Sequence, residues 1–162
     1  MVMNSENKNV LALAAAHPFL AGMSPHHIEL LAGCASLVRF QAGEVIFQAD
    51  ETARGFYLIE SGTVVIEGAI AGKPHVVIDT ISAGDPLGWS WLFEPYLWQY
   101  DARATDSVTA IFFDRLNLRK SCDDDLTLGH ELFRRMSQVM VRRLQFARAK
   151  LIEALHKTDR AK

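Results

Sequence analysis

The residues able to do chemistry are easily counted, and most lack the spacing that chemistry needs. Six histidines could suggest a metal. His26 and His27 are neighbours near a helix start and point apart, and His17, His75, His130 and His156 are scattered. No His-x-His with a following glutamate occurs, so no metal site is expected. Cys34 and Cys122 are far apart in sequence, without ligand spacing, and read as reduced, packed thiols. No serine or cysteine lies in a nucleophile elbow, and no phosphate-binding glycine loop precedes a Lys-Ser/Thr pair. Glu94 and Asp101 could act as paired carboxylates, but a solvated loop explains them better. The expectation is a protein that is not an enzyme. One cluster remains. Trp89, Trp91 and Trp98, the only three tryptophans, fall inside one short window with Tyr96 and Tyr100. Indoles and phenols so grouped could wall a pocket for a flat ligand, fill a core, or form a partner surface.

The elements that position this window can be read from periodicity. Residues 8–35 read helical, with a break at His17-Pro18, because the residue before proline avoids the helical region. Ser24-Pro25 is a helix start, an N-cap serine with proline at the first helical position. From Ser36 the period becomes two. Val38 and Phe40, Val45 and Phe47, Phe56 to Ile59, Thr63 to Ile66 and His75 to Ile78 read as strands with glycine turns between them, and Ala102 to Phe113 closes the series. Helical period returns at Asp114, first in a short capped helix. It then runs from the Asp123-Asp124-Asp125 start to about Lys157, about 30 residues or roughly 45 Å. Leu132, Met136, Val139 or Met140, Arg143, Ala147 and Leu151 share one broad stripe of it. Such a stripe packs on its own domain first and on a partner helix second, and a symmetric homodimer is the economical expectation. The expected fold is α+β and mainly β. An antiparallel β-roll or jelly roll spans 36–113, helices precede it (1–35) and follow it (114–162), and the whole is one domain.

Charge is uneven. Residues 1–133 carry 8 Lys/Arg against 17 Asp/Glu, and residues 134–162 carry 9 against 2. The basic end suits the C-terminus of a long helix, and it could also meet nucleic acid or an acidic partner. The net charge of −2 argues against a whole-chain nucleic-acid binder. No signal peptide or apolar run of membrane-spanning length is read, so a cytoplasmic location is expected.

Local sequence resembles a known family. "HPFLAGMSPHHIELLAGCASLVRFQAGEVIFQADETARGFYLIESGTVVIE" is similar to the front half of the cyclic-nucleotide-binding domain, with its turn glycines at Gly43, Gly55, Gly62 and Gly84. "RATDSVTAIFFDRLNL" resembles the strand and helix after its ligand cassette, and "FRRMSQVMVRRLQ" resembles the start of its dimerisation helix. The resemblance covers roughly residues 10–148. It implies the sensor half of catabolite-activator-type regulators. About 14 residues follow, too few for a helix-turn-helix, so no DNA-binding domain is expected.

The resemblance implies a cassette over 84–104, "GDPLGWSWLFEPYLWQYDARA". In the family, helix N–H groups and an arginine hold the cyclic phosphate, and a glutamate accepts from the ribose 2′-hydroxyl. Gly84, Leu87 and Gly88 keep the frame. The glutamate position is Trp89. The arginine position is Trp98, or Gln99 without a deletion, and the small residue beside it is Tyr100. Ser90, Trp91 and Leu92 fall in the short cassette helix, with Asp101 and Arg103 as nearby polar handles. Arg103 is either a substitute cation or a surface residue. On the long helix Arg143 is kept, and the following hydroxyl position is Ala147. Losing a buried charge-assisted contact costs about 2–5 kcal/mol. The expectation is therefore weak or absent cyclic AMP binding, with another nucleotide or heterocycle as ligand. The alternative is a ligand-free interaction module. Output would pass through the long helix to a dimer or an effector protein.

Overall fold

The computed structural model describes residues 5–159, so the outermost parts of the first and last blocks, 1–4 and 160–162, lie outside it. Helix α1 (Ser5–Ala16) stops before Pro18, as the proline requires, and a single 3-10 turn, Pro18–Leu20, follows. Helix α2 (Pro25–Ala32) starts as its sequence dictates. The Ser24 hydroxyl accepts from His27 N–H, and Pro25 stands at the first position. Ile28, Leu31 and Ala32 are its buried face.

Among the described residues eight strands follow: β1 (Ala35–Phe40), β2 (Val45–Phe47), β3 (Gly55–Ser61), β4 (Thr63–Ile70), β5 (Lys73–Ser82), β6 (Pro86–Leu87), β7 (Asp101–Ala104) and β8 (Val108–Asp114). They form two four-stranded antiparallel sheets, ordered β1-β8-β3-β6 and β2-β7-β4-β5. The expected final strand, Ala102 to Phe113, is two strands on different sheets. Its middle, Thr105-Asp106-Ser107, turns the chain, with the Asp106 carboxylate accepting from Thr63 N–H. The short β6 carries no alternation of its own and exists by pairing with Tyr57 and Leu58 of β3.

The core lies between the sheets and under α4. Phe56, Leu58, Ile59, Val64, Leu87, Ala102, Ala104, Ile111 and Phe113 are all fully buried within it. Asp114 caps α3 (Arg115–Asp124) by accepting from Asn117 N–H. Asp125 then separates α3 from α4 (Leu126–Asp159) and accepts from Thr127 and Leu128 N–H. At 34 residues α4 is about 51 Å long. Leu128, Leu132, Met136 and Val139 bury its first half, whereas Leu144, Leu151, Ile152 and Leu155 are more than half exposed. Among the described residues, no helix is long and apolar enough to cross a membrane.

Candidate functional site

Gly84 (φ +91) and Gly88 (φ +87) bracket the turn into the cassette. At Gly88 a Cβ would stand 2.6 Å from a ring carbon of Trp98, so the glycine lets the indole lie against the backbone. The expected cassette helix is reduced to one 3-10 turn, Ser90–Leu92, with Trp89 at its cap and no side-chain cap bond. Too few consecutive N–H groups are aligned here to make a strong anion cradle.

The three tryptophans do three different jobs. Trp98 is buried and stacks on Phe47, with ring centroids 3.8 Å apart and planes at 11°. Its backbone is fixed on both sides, N–H donating to Glu51 O and carbonyl accepting from Asp50 N–H. Trp91 is buried beneath the turn against Phe56, and its indole N–H has no hydrogen-bond partner among the described residues. Trp89 is half-buried, and the Arg143 guanidinium lies 5.1 Å from its ring centre. Reading the indoles as one pocket is therefore corrected: Trp91 belongs to the core, and Trp98 is both core and wall.

A cavity of about 420 Å³ lies between the cassette and α4. From the cassette it is lined by Gly88, Trp89, Ser90, Trp98, Gln99 and Tyr100, and from α4 by Met140, Arg143, Leu144, Phe146, Ala147 and Lys150. Phe47, Ile66, Ile78 and Asp79 of the β2-β7-β4-β5 sheet form its floor. A larger depression, about 780 Å³, runs along α4 beside Phe19 and Phe133, and none of the sequence-derived cassette residues reaches it.

Arg143 is the cation inside the cavity, and it is already occupied. It donates to Pro86 O, its Nε lies 3.9 Å from Asp79 Oδ2, and its face rests on Trp89. Burial pushes its pKa down, and the carboxylates of Asp79 and Asp85 act against that shift. Lys150 is exposed at the rim, its ammonium 4.5 Å from the Phe146 ring centre.

Several residues expected at the site lie elsewhere. On β7, Ala102 and Ala104 are fully buried, so alternation turns Asp101 and Arg103 to the opposite face. Asp101 accepts from Ala49 N–H and braces the β2 loop. Arg103 donates to Glu67 (3.1 Å) and to Gly43 O, which makes it a surface residue rather than a substitute cation. Gly84 donates to Ile59 O, Leu87 is fully buried in β6, and Leu92 packs partly buried on the core. Sequence reading missed Asp79, whose signal was a lone acid inside an apolar strand, and Phe47, which only a long-range contact reveals. Among the described residues, no group of three or more His, Cys, Asp or Glu is placed to hold a metal.

The fold agrees with comparison to known proteins. Residues 37–125 match the cyclic nucleotide-binding domain, more than half of the chain. The chain belongs to that family. Among solved structures it is similar to a cyclic nucleotide-binding domain from Methylobacillus flagellatus. Identity there is 14%, coverage is 91% of this chain and 83% of that one, and the TM-score is 0.77. It is also similar to the sensor domain of the transcriptional regulator DNR from Pseudomonas aeruginosa. Here identity is 18%, coverage is 86% and 93%, and the TM-score is 0.68. A third likeness is to the regulatory subunit of a cAMP-independent protein kinase A from Trypanosoma cruzi, bound to guanosine. That one has 25% identity and a TM-score of 0.61, covering 74% of this chain and 47% of that chain. No curated protein matches. The fold is thus that of the cyclic nucleotide-binding domain, with a regulatory role as its general use.

Proposed function

We propose that this chain is a small regulatory sensor whose cavity takes a flat heterocyclic ligand other than cyclic AMP, or cyclic AMP only weakly. The observation that carries the reading is the composition of the cavity wall. One side comes from the cassette and the other from α4, so a ligand there touches both at once. Trp89, Trp98 and Tyr100 offer flat apolar surface, and Ser90 and Gln99 offer neutral hydrogen-bonding groups. The guanosine on the Trypanosoma cruzi protein parallels this, because a nucleoside has no phosphate to neutralise. Ligand contact with both walls would favour one position of α4 and change its contacts with a second copy or an effector protein. Phe93 of the cassette meets Phe133 of α4 edge to face at 6.4 Å, which supports a direct mechanical link. The two free cysteines suit a reducing compartment such as the cytoplasm.

Native mass spectrometry of freshly purified protein tests this, with a bound small molecule as the expected result. Trp89→Ala is expected to abolish the thermal shift that the recovered molecule gives in wild type. An unchanged shift removes Trp89 from the site. A second reading is favoured by the stacking of Trp98 on Phe47, which fills part of the space a ligand would use. In that reading the chain is a ligand-free interaction module. It predicts an empty dimer and no thermal shift with any nucleoside or cyclic nucleotide.

A further inference from the structure

Asp79 is the carboxylate on the cavity floor, standing in the β5 run Val76-Val77-Ile78-Asp79. Its neighbour Arg143 is engaged on three sides: Asp79 Oδ2 at 3.9 Å, the Pro86 carbonyl, and the Trp89 ring at 5.1 Å. Both side chains are mostly buried, Arg143 at 19% exposed and Asp79 at 28%. A guanidinium neutralised in this way keeps little of the planar fork with which it would grip an incoming phosphate. Asp85 adds a second carboxylate to the field at Arg143, and Arg142 adds a cation from the same helix. Lys150 stands exposed at the mouth, where water and salt screen it.

We infer that Asp79 is the specificity-determining residue of this cavity: it holds Arg143, repels anions, and favours an uncharged planar heterocycle that presents an N–H donor to its carboxylate. The inference rests on the reading of the cavity as a ligand site and adds the ligand's charge class and the residue that sets it. A neutral ligand keeps the Asp79–Arg143 pair intact. An anion must either draw Arg143 away and leave Asp79 unpaired, or sit beside a guanidinium whose charge Asp79 already offsets, and both are unfavourable in a half-buried site.

The test uses two matched probes, adenosine and cyclic AMP, titrated calorimetrically into wild type, Asp79→Asn and Asp79→Ser. Wild type is expected to prefer adenosine by about tenfold or more. In both variants the preference should shrink by about tenfold or more, mainly through a gain for cyclic AMP. Circular dichroism and thermal melts check that the variants fold. Adenosine binding with an unchanged ratio in both folded variants would overturn the role of Asp79 and leave the ligand-site reading intact. Tighter wild-type binding of cyclic AMP than of adenosine would overturn the charge class. Binding of neither probe to any form would overturn the proposed ligand class, and native mass spectrometry then decides separately whether the cavity holds any ligand.

Discussion

Single residues here separate into those that fill space and those that present chemistry. Trp98 fills: it is 5% exposed, stacked on Phe47 and pressed against Gly88. Trp98→Ala is expected to cost about 3–5 kcal/mol, read from chemical denaturation, because neither the strand floor nor the glycine can close the gap. Trp91 is equally buried, yet its indole N–H finds no partner among the described residues. Trp91→Phe keeps the stacking on Phe56 and removes that donor, so its cost is expected to stay under about 1.5 kcal/mol in the same assay. His17 is the buried polar residue beneath the roll. Phe19 N–H donates to Nδ1, so the proton sits on Nε2, which donates to Ile59 O. Burial lowers its pKa from the ordinary histidine value of 6.5, outweighing the Ile59 bond and the Asp85 carboxylate. The folded state therefore takes up the proton later than the unfolded chain does. The His17 contribution is complete above the unfolded value and is lost as pH falls below it. Melting temperature is expected to fall between about pH 7 and 5, and less steeply in His17→Gln. Equal slopes in the two proteins would show that His17 does not titrate in this range.

Elements carry a different kind of legibility. Ser24-Pro25 and Asp114 marked helix starts because capping is a local act between residues three apart, and both caps stand where their sequences put them. Strands β1 to β5 were readable because alternation is also local. The split of Ala102 to Phe113 was not, since Thr105-Asp106-Ser107 contains no glycine or proline and its turn is fixed by a bond to distant Thr63. The cavity was half legible for the same reason: Trp89, Trp98 and Arg143 were found, whereas Asp79 and Phe47 enter through sheet register. Helix α4 was predicted from its period, and the structure adds where its packing stops. Beyond Arg143 its apolar side chains, Leu144, Leu151, Ile152 and Leu155, are left open to solvent over about three turns. A second copy covering this half is the proposed role. Leu151→Glu with Leu155→Glu is expected to convert a dimer to a monomer in analytical ultracentrifugation. The melting of the roll itself should be little changed, because both residues lie beyond it. A wild-type monomer at micromolar concentration would overturn the dimer.

At the scale of the whole molecule, the polarity of charge must be reread from the side-chain partners. The sequence puts 9 Lys/Arg in residues 134–162, which as a free cationic arm would engage many phosphates of a duplex. Of the seven that lie among the described residues, four are engaged by partners within the fold. Arg134 and Arg135 share Glu131, and Arg135 also donates to the carbonyls of Phe19 and Ala21. Arg143 faces the cavity, and Lys157 pairs with Glu153 at 2.6 Å. Arg142, Arg148 and Lys150 remain exposed, and Arg160 and Lys162 lie outside the described residues. Three to five available cations predict a log–log salt slope of about −3 to −4.5 for DNA binding, where nine free ones would give about −8. Fluorescence anisotropy of a labelled duplex across a salt series measures the slope directly. Few phosphate contacts supply little electrostatic affinity, so nucleic acid binding through this helix is expected to be weak, which leaves α4 to work through its apolar face. A slope near −8 would mean that Glu131 and Glu153 release their partners to DNA, and the helix would then be a nucleic-acid arm rather than a dimer seam.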